Sequence, residues 1–154
     1  MGRRVGWLAV VLWFLPVVAA AGDLEVRDAW VAESPPTVQV SAAYMIIRNA
    51  GTTGRTVVGA SSPLFAKVEF HESVQRGGMV SMVARDSLVV DAGGQVVLKP
   101  GGYHMMLIAP PRPLRVGEKV PLVLHLSDGA KVTVEAEVRA AKGSSGEHSH
   151  HHAH

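Results

Sequence analysis

An all-β sandwich is the fold class this sequence predicts, on three observations. Between residues 24 and 140 the chain is cut by Gly, Pro and Asx turns into runs of four to eleven residues rich in β-branched and apolar types. No segment sustains an apolar period of 3.6 residues, so no amphipathic helix is expected. Near the C-terminus, Leu122, Leu124 and Leu126 share one face, Asp128-Gly129 makes a turn, and Val132, Val134, Ala136 and Val138 share one face of the return strand.

Taken in order, the predicted strands are Leu24 to Val31, Val38 to Arg48, Thr56 to Ser61, Ala66 to Val74, Met79 to Ala84, Val96 to Lys99, Tyr103 to Ile108, Pro121 to Ser127 and Lys131 to Arg139. Turn residues divide them at Asn49-Ala50-Gly51 to Gly54, Arg76-Gly77-Gly78, Asp91-Ala92-Gly93-Gly94 and Pro100-Gly101-Gly102. These strands suffice for two sheets, and no internal repeat is visible.

The organisation is one domain, residues 22–140, with an extension at each end. Residues 1–21 read as a secretory signal: Arg3 and Arg4 form a basic start, Leu8 to Leu15 an apolar core, and Ala19-Ala20-Ala21 a cleavage site before Gly22. An uncleaved membrane anchor is disfavoured, because Pro16 interrupts an apolar stretch shorter than ~18 residues. Residues 141–154 change to Gly, Ser, Glu and His and are expected to be disordered. His148, His150, His151, His152 and His154 make this a candidate metal-binding tail, and Ser149 and Ala153 interrupt the run as a purification tag would not.

Without residues 1–21 the chain carries 13 basic and 13 acidic residues, and no basic cluster that would argue for nucleic acid. The chain has no cysteine, which excludes a disulfide framework, a cysteine-linked lipid and thiolate metal ligation among these residues. Stability then rests on the core, and a domain of this size buries somewhat under ~70% of its unfolded surface.

The chemistry lies in His71, Met82, His104 and Met106. Two imidazoles and two thioethers form a donor set that favours copper, because uncharged, soft thioether sulfur competes poorly with water for zinc, magnesium or calcium but binds Cu(I) well. His104 and Met106 are two apart in Tyr103-His104-Met105-Met106-Leu107-Ile108, so on a strand they share a face, about 6.6 Å apart, with Tyr103 and Met105 on the other. A hairpin turning at Arg76-Gly77-Gly78 returns Met82 towards His71. The expectation is that His71 and Met82 end one sheet and face His104 and Met106 at the sandwich rim, within reach of solvent.

The spacing His71, ten residues, Met82, twenty-one residues, His104-x-Met106 resembles the periplasmic PCu(A)C family of copper chaperones. Gly101-Gly102-Tyr103-His104-Met105-Met106-Leu107 is similar to the family's segment around the second histidine, and the likeness spans roughly Ala29 to Val138. One departure is Ser73, where family members often carry methionine; Met79 is a possible auxiliary donor in its place. The resemblance implies a cupredoxin-like Greek-key β-sandwich, a non-enzymatic protein that holds Cu(I) at an exposed site. It also implies delivery to a copper centre of cytochrome c oxidase, directly or through another assembly chaperone, and a histidine-rich tail that takes Cu(II) separately. The membrane would then be met only through the acceptor.

Two other readings are weighed against this one. A copper-dependent redox enzyme or electron carrier suffers from the lack of an open ligand position, an accompanying acid or base, and the thiolate of blue-copper sites. A non-metal adhesion or assembly sandwich would use the methionines as core. Met45, Met105 and His125 are expected in packing roles, Trp30 and Tyr44 as core aromatics, and Arg48, Glu69 and Glu72 as solvated surface. Composition says nothing of oligomeric state.

Overall fold

Alternation of inward and outward positions defines the strands Val40–Asn49, Lys119–Leu126 and Lys131–Arg139 in the computed structural model, which describes residues 19–35 and 37–140. Among these residues there are eleven strands and no helix: β1 (Ala19–Ala21), β2 (Leu24–Ala32), β3 (Val40–Asn49), β4 (Arg55–Ser61), β5 (Lys67–Arg76), β6 (Met79–Arg85), β7 (Leu88–Val90), β8 (Gln95–Leu98), β9 (Tyr103–Ile108), β10 (Lys119–Leu126) and β11 (Lys131–Arg139). All nine predicted strands are present, with ends displaced by at most two residues. The two additions are each three residues long, too short for a period-2 pattern to register: β7, and β1, which lies within the segment read as a leader and pairs with Leu24 to Val26. The rest of that leader and the histidine-rich tail lie outside the described residues.

The strands follow the order β6-β5-β9-β8-β3-β2-β11-β10-β4-β7, with β1 added to β2. β3 is the pivot, for its first half pairs with β9, Val40 to Ala43 against Ile108 to Met105, and its second half with β8, Met45 to Arg48 against Leu98 to Gln95. Most pairs are antiparallel, while β2 with β11 and β8 with β9 are parallel. The hydrogen-bonded path folds over on itself, so that β7, at its far end, touches β8 and β3, and β4 touches β5. β2 bends where its register on β3 shifts between Arg27 and Trp30, and Asp28 there takes a left-handed φ of 50°.

Between the layers lies one apolar cluster that includes Leu24, Met45, Ile47, Met105, Leu107, Leu122 and Leu124, each under 2% exposed. The leucines of β10 and the valines of β11 take the inward positions the sequence predicts. Asn49 is also fully buried; its amide donates to Thr53 O and Val90 O, and its side-chain oxygen accepts from Gly51 N, tying the end of β3 to β7.

Candidate metal centre

Strand parity selects the side chains that meet. On β5 the inward residue Phe70 pairs with the buried Met105 of β9, so Glu69, His71 and Ser73 point to the outer face. The outer face of β9 carries His104 and Met106. In register, His71 stands opposite His104 and Glu69 opposite Met106; on its other side β5 sets His71 against Ala84 and Ser73 against Met82 of β6. Met106 meets Ala42 of β3. Short side chains at Ala42, Ser73 and Ala84 leave room beside the longer imidazoles and thioethers.

The His71 and His104 ring centroids are 6.0 Å apart and tilted by 31°. An imidazole–metal bond of about 2.0 Å plus about 1 Å from nitrogen to ring centre puts two rings that share one ion up to about 6 Å apart. The observed spacing fits an ion between them.

Both imidazoles have their tautomers set by oxygen acceptors. His104 Nδ1 donates to Gly102 O at 3.0 Å, which leaves Nε2 with its lone pair. The same carbonyl accepts from Ser73 N at 3.1 Å, so the turn before β9 is bound to both strands of the site. His71 Nε2 and Glu69 Oε2 are 3.0 Å apart. The Lys67 ammonium first, and His71 second, hold the Glu69 carboxyl below the usual carboxylate range. It is an acceptor, so His71 Nε2 carries the proton and Nδ1 the lone pair. Among the described residues, that Nδ1 is the one buried side-chain nitrogen or oxygen with no hydrogen-bond partner. Leaving such a group unpaired costs about 1–3 kcal/mol, which an incoming cation would remove.

The methionines flank the histidine pair at opposite ends along the strand direction. Met106 is two residues beyond His104 and partly buried, whereas Met82 lies on the edge strand, diagonal to His71 at about 7–8 Å, and is 62% exposed. Met79 is 76% exposed at the hairpin end, opposite Arg76, and alternation turns it to the other face of β6 from Met82. Among the described residues no three of His, Cys, Asp or Glu gather as a metal cage; the soft side chains nearest the two imidazoles on this face are the thioethers of Met106 and Met82.

Several expectations need correction. The two candidate pairs, His71 with Met82 and His104 with Met106, do not face one another across sheet ends: β6, β5 and β9 are neighbours in one layer, and the side chains stand side by side on its outer face. Trp30 and Tyr44 are not core. They are half-buried with ring centroids 4.6 Å apart, Arg139 lies over Trp30 at 5.8 Å, and partial burial pushes the Tyr44 phenol up. His125 faces away from the β10 leucines, with Nε2 2.8 Å from Ser61 Oγ. Met45 and Met105 do take the packing roles expected of them, at 1% and 0% exposure. Glu72, on the inward side of β5, accepts from Arg85 Nε at 2.9 Å. Glu69 is the site residue the sequence reading missed; its position two before His71, hence on the same face, was the available signal.

A metal-site domain built on a folded-over, all-β cupredoxin-like framework is the class these features define. The LpqE-like family matches residues 24–138, and the chain belongs to it, the PCu(A)C-like family. A protein of Leifsonia xyli subsp. xyli whose name carries the word lipoprotein is 32% identical over 125 residues, covering 80% of this chain and 74% of that one. The chain is similar to DR1885 of Deinococcus radiodurans in apo form, with 31% identity, a TM-score of 0.62, and 92% and 95% of the two chains covered. Against the CuI form of DR1885 the values are 35%, 0.61, 74% and 76%. A copper-bound PCuAC domain from PmoF2 superposes with a TM-score of 0.69 over 81% of this chain and 99% of that one, and at 22% identity this likeness speaks to the fold. No residue among the 154 is a cysteine, so none of them can carry the thioether lipid that the word lipoprotein implies.

Proposed function

We propose that this protein is a periplasmic copper chaperone that binds Cu(I) through His71, Met82, His104 and Met106 and passes it to a copper centre of cytochrome c oxidase or to another assembly chaperone. The observation that carries the reading is the pairing of His71 with His104 across β5 and β9, rings 6.0 Å apart, with both thioethers on the same face. Membership of the PCu(A)C-like family and the likeness to a CuI-bound relative support it.

Transfer follows from the donors. Four uncharged ligands leave the ion its full positive charge, so a thiolate-bearing acceptor gains an attraction the donor site lacks. Met82, on the edge strand and mostly exposed, is the ligand an acceptor displaces first; His104, 5% exposed, is the last to let go. Binding and release complete the cycle, without catalysis. The histidine-rich tail (His148, His150, His151, His152, His154) is a separate Cu(II) site in this reading. The export signal in residues 1–21 delivers the protein to the periplasm, and the membrane is met only through the acceptor.

The test is Cu(I) binding by competition with a chromophoric chelator under reductant, for the chain ending at Ala141 and for its Met82→Leu/Met106→Leu double variant. One tight equivalent, lost in a folded double variant, is the expected result. Equal binding by both, or binding by neither, would sink the proposal and leave any metal function to the tail.

A further inference from the structure

We propose that Glu69 is a positioning residue of the metal site: by accepting the Nε2–H of His71 it presents Nδ1 of that ring to the ion, while His104 presents Nε2. The inference rests on the copper reading above and adds to it a residue outside the His and Met set, together with the ligating atom on each ring.

Lys67, Glu69 and His71 follow one another at alternate positions on the outer face of β5. One carboxylate oxygen of Glu69 meets the Lys67 ammonium and the other meets His71 Nε2 at 3.0 Å, so the carboxylate is held at both ends. The imidazole it grips is 14% exposed. The lone pair that remains, on Nδ1, is buried and has no partner among the described residues. On β9 the two positions facing Glu69 and His71 are Met106 and His104, so the carboxylate borders the proposed ligands on both strands. A carboxylate behind a ligating imidazole fixes its tautomer, increases its basicity and brings a negative charge near an ion whose own ligands are uncharged. His104 shows the same device with a neutral acceptor, the Gly102 carbonyl.

The experiment uses the full-length, 15N-labelled protein, with Ag(I) as a spin-active stand-in for Cu(I). In the parent, Ag(I) should split the 15N resonances of His71 Nδ1 and His104 Nε2, and apoprotein spectra should show a protected His71 Nε2 proton. Glu69→Ala should lose that proton and weaken Cu(I) binding by about 10- to 100-fold; Glu69→Gln, which keeps an acceptor oxygen, should retain the proton and recover most of the affinity. Silver coupling to His71 Nε2, or Cu(I) affinity in Glu69→Ala equal to the parent's, would overturn the inference while leaving copper binding in place. No binding of either ion by the parent would instead overturn the copper reading itself.

Discussion

Met82 and Met106 are alike in chemistry and unlike in surroundings, and the difference sets what each substitution does. Met82 is 62% exposed on the edge strand, so Met82→Leu should leave the unfolding free energy measured in urea unchanged, within about 0.5 kcal/mol. Met106 is wedged between Ala42 and Glu69, and Met106→Leu, which conserves volume, should cost less than about 1.5 kcal/mol. Both variants should nonetheless lose Cu(I) affinity in chelator competition; a variant that binds like the parent would remove that methionine from the ligand set. At this scale the sequence was a partial guide. The proposed donors could be named from their softness and spacing, and the face that Glu69 shares with His71 from their parity. The tautomers could not, because the Gly102 carbonyl and the Glu69 carboxylate reach the rings only once the turn and strand are folded.

Among the elements, the turn between β8 and β9 matters most to the site. Gly101 has φ of +79°, a region that strains an L side chain, whereas a Cβ at Gly102 would meet Lys99 Cγ at an ordinary 3.5 Å. Gly101→Ala should therefore cost about 1–2 kcal/mol and shift the Gly102 carbonyl, and the His104 Nδ1 proton should exchange faster in NMR; Gly102→Ala should do neither. The core behind the site responds differently. Leu124 is fully buried, and Leu124→Ala should lower stability by about 2–5 kcal/mol in urea denaturation, with no such loss expected for the outer-face Met82→Leu. Among the longer strands, β3, β10 and β11 were readable because alternation repeats often enough within each to define a face, whereas β6, exposed along its whole length, and the four-residue β8 were bounded by the turn residues beside them. β7 was not readable: its three residues, Leu88 and Val90 inward and Val89 outward, give too short a pattern, and Asn49 holds the strand through a bond to Val90 O.

At the scale of the whole molecule, the long connection from Ala109 to Glu118 closes the sandwich against β11, with Gly117 N donating to Val138 O and Val138 N to Glu118 O, each at 2.9 Å. Arg112 Nη1 contacts both carboxylate oxygens of Glu118, at 2.9 and 3.0 Å, and this guanidinium holds the carboxyl below its ordinary value of 4.5. A folded-state value below the unfolded one means that the folded chain binds the proton more weakly. The contribution to stability is present above pH 4.5 and is lost as the pH falls through the lower folded value. Glu118→Gln should accordingly be less stable than the parent at neutral pH, and the gap should close in strong acid. A gap that persists unchanged at low pH in parallel denaturation series would show that the pair does not act through ionisation.

The sequence by itself determined the fold class and the nine longer strands and singled out the donor set proposed here, because period-2 alternation, turn residues and ligand softness are local properties that need no knowledge of what lies across the sheet. Only the tertiary structure decided that the proposed ligands stand side by side on one outer face, with the Glu69 carboxylate against His71 Nε2. It also left Trp30 and Tyr44 outside the core. Strand order and register arise from pairings between distant residues, such as His71 with His104 across 33 positions, and a sequence read along its length carries the parity of each strand but not the identity of its neighbour.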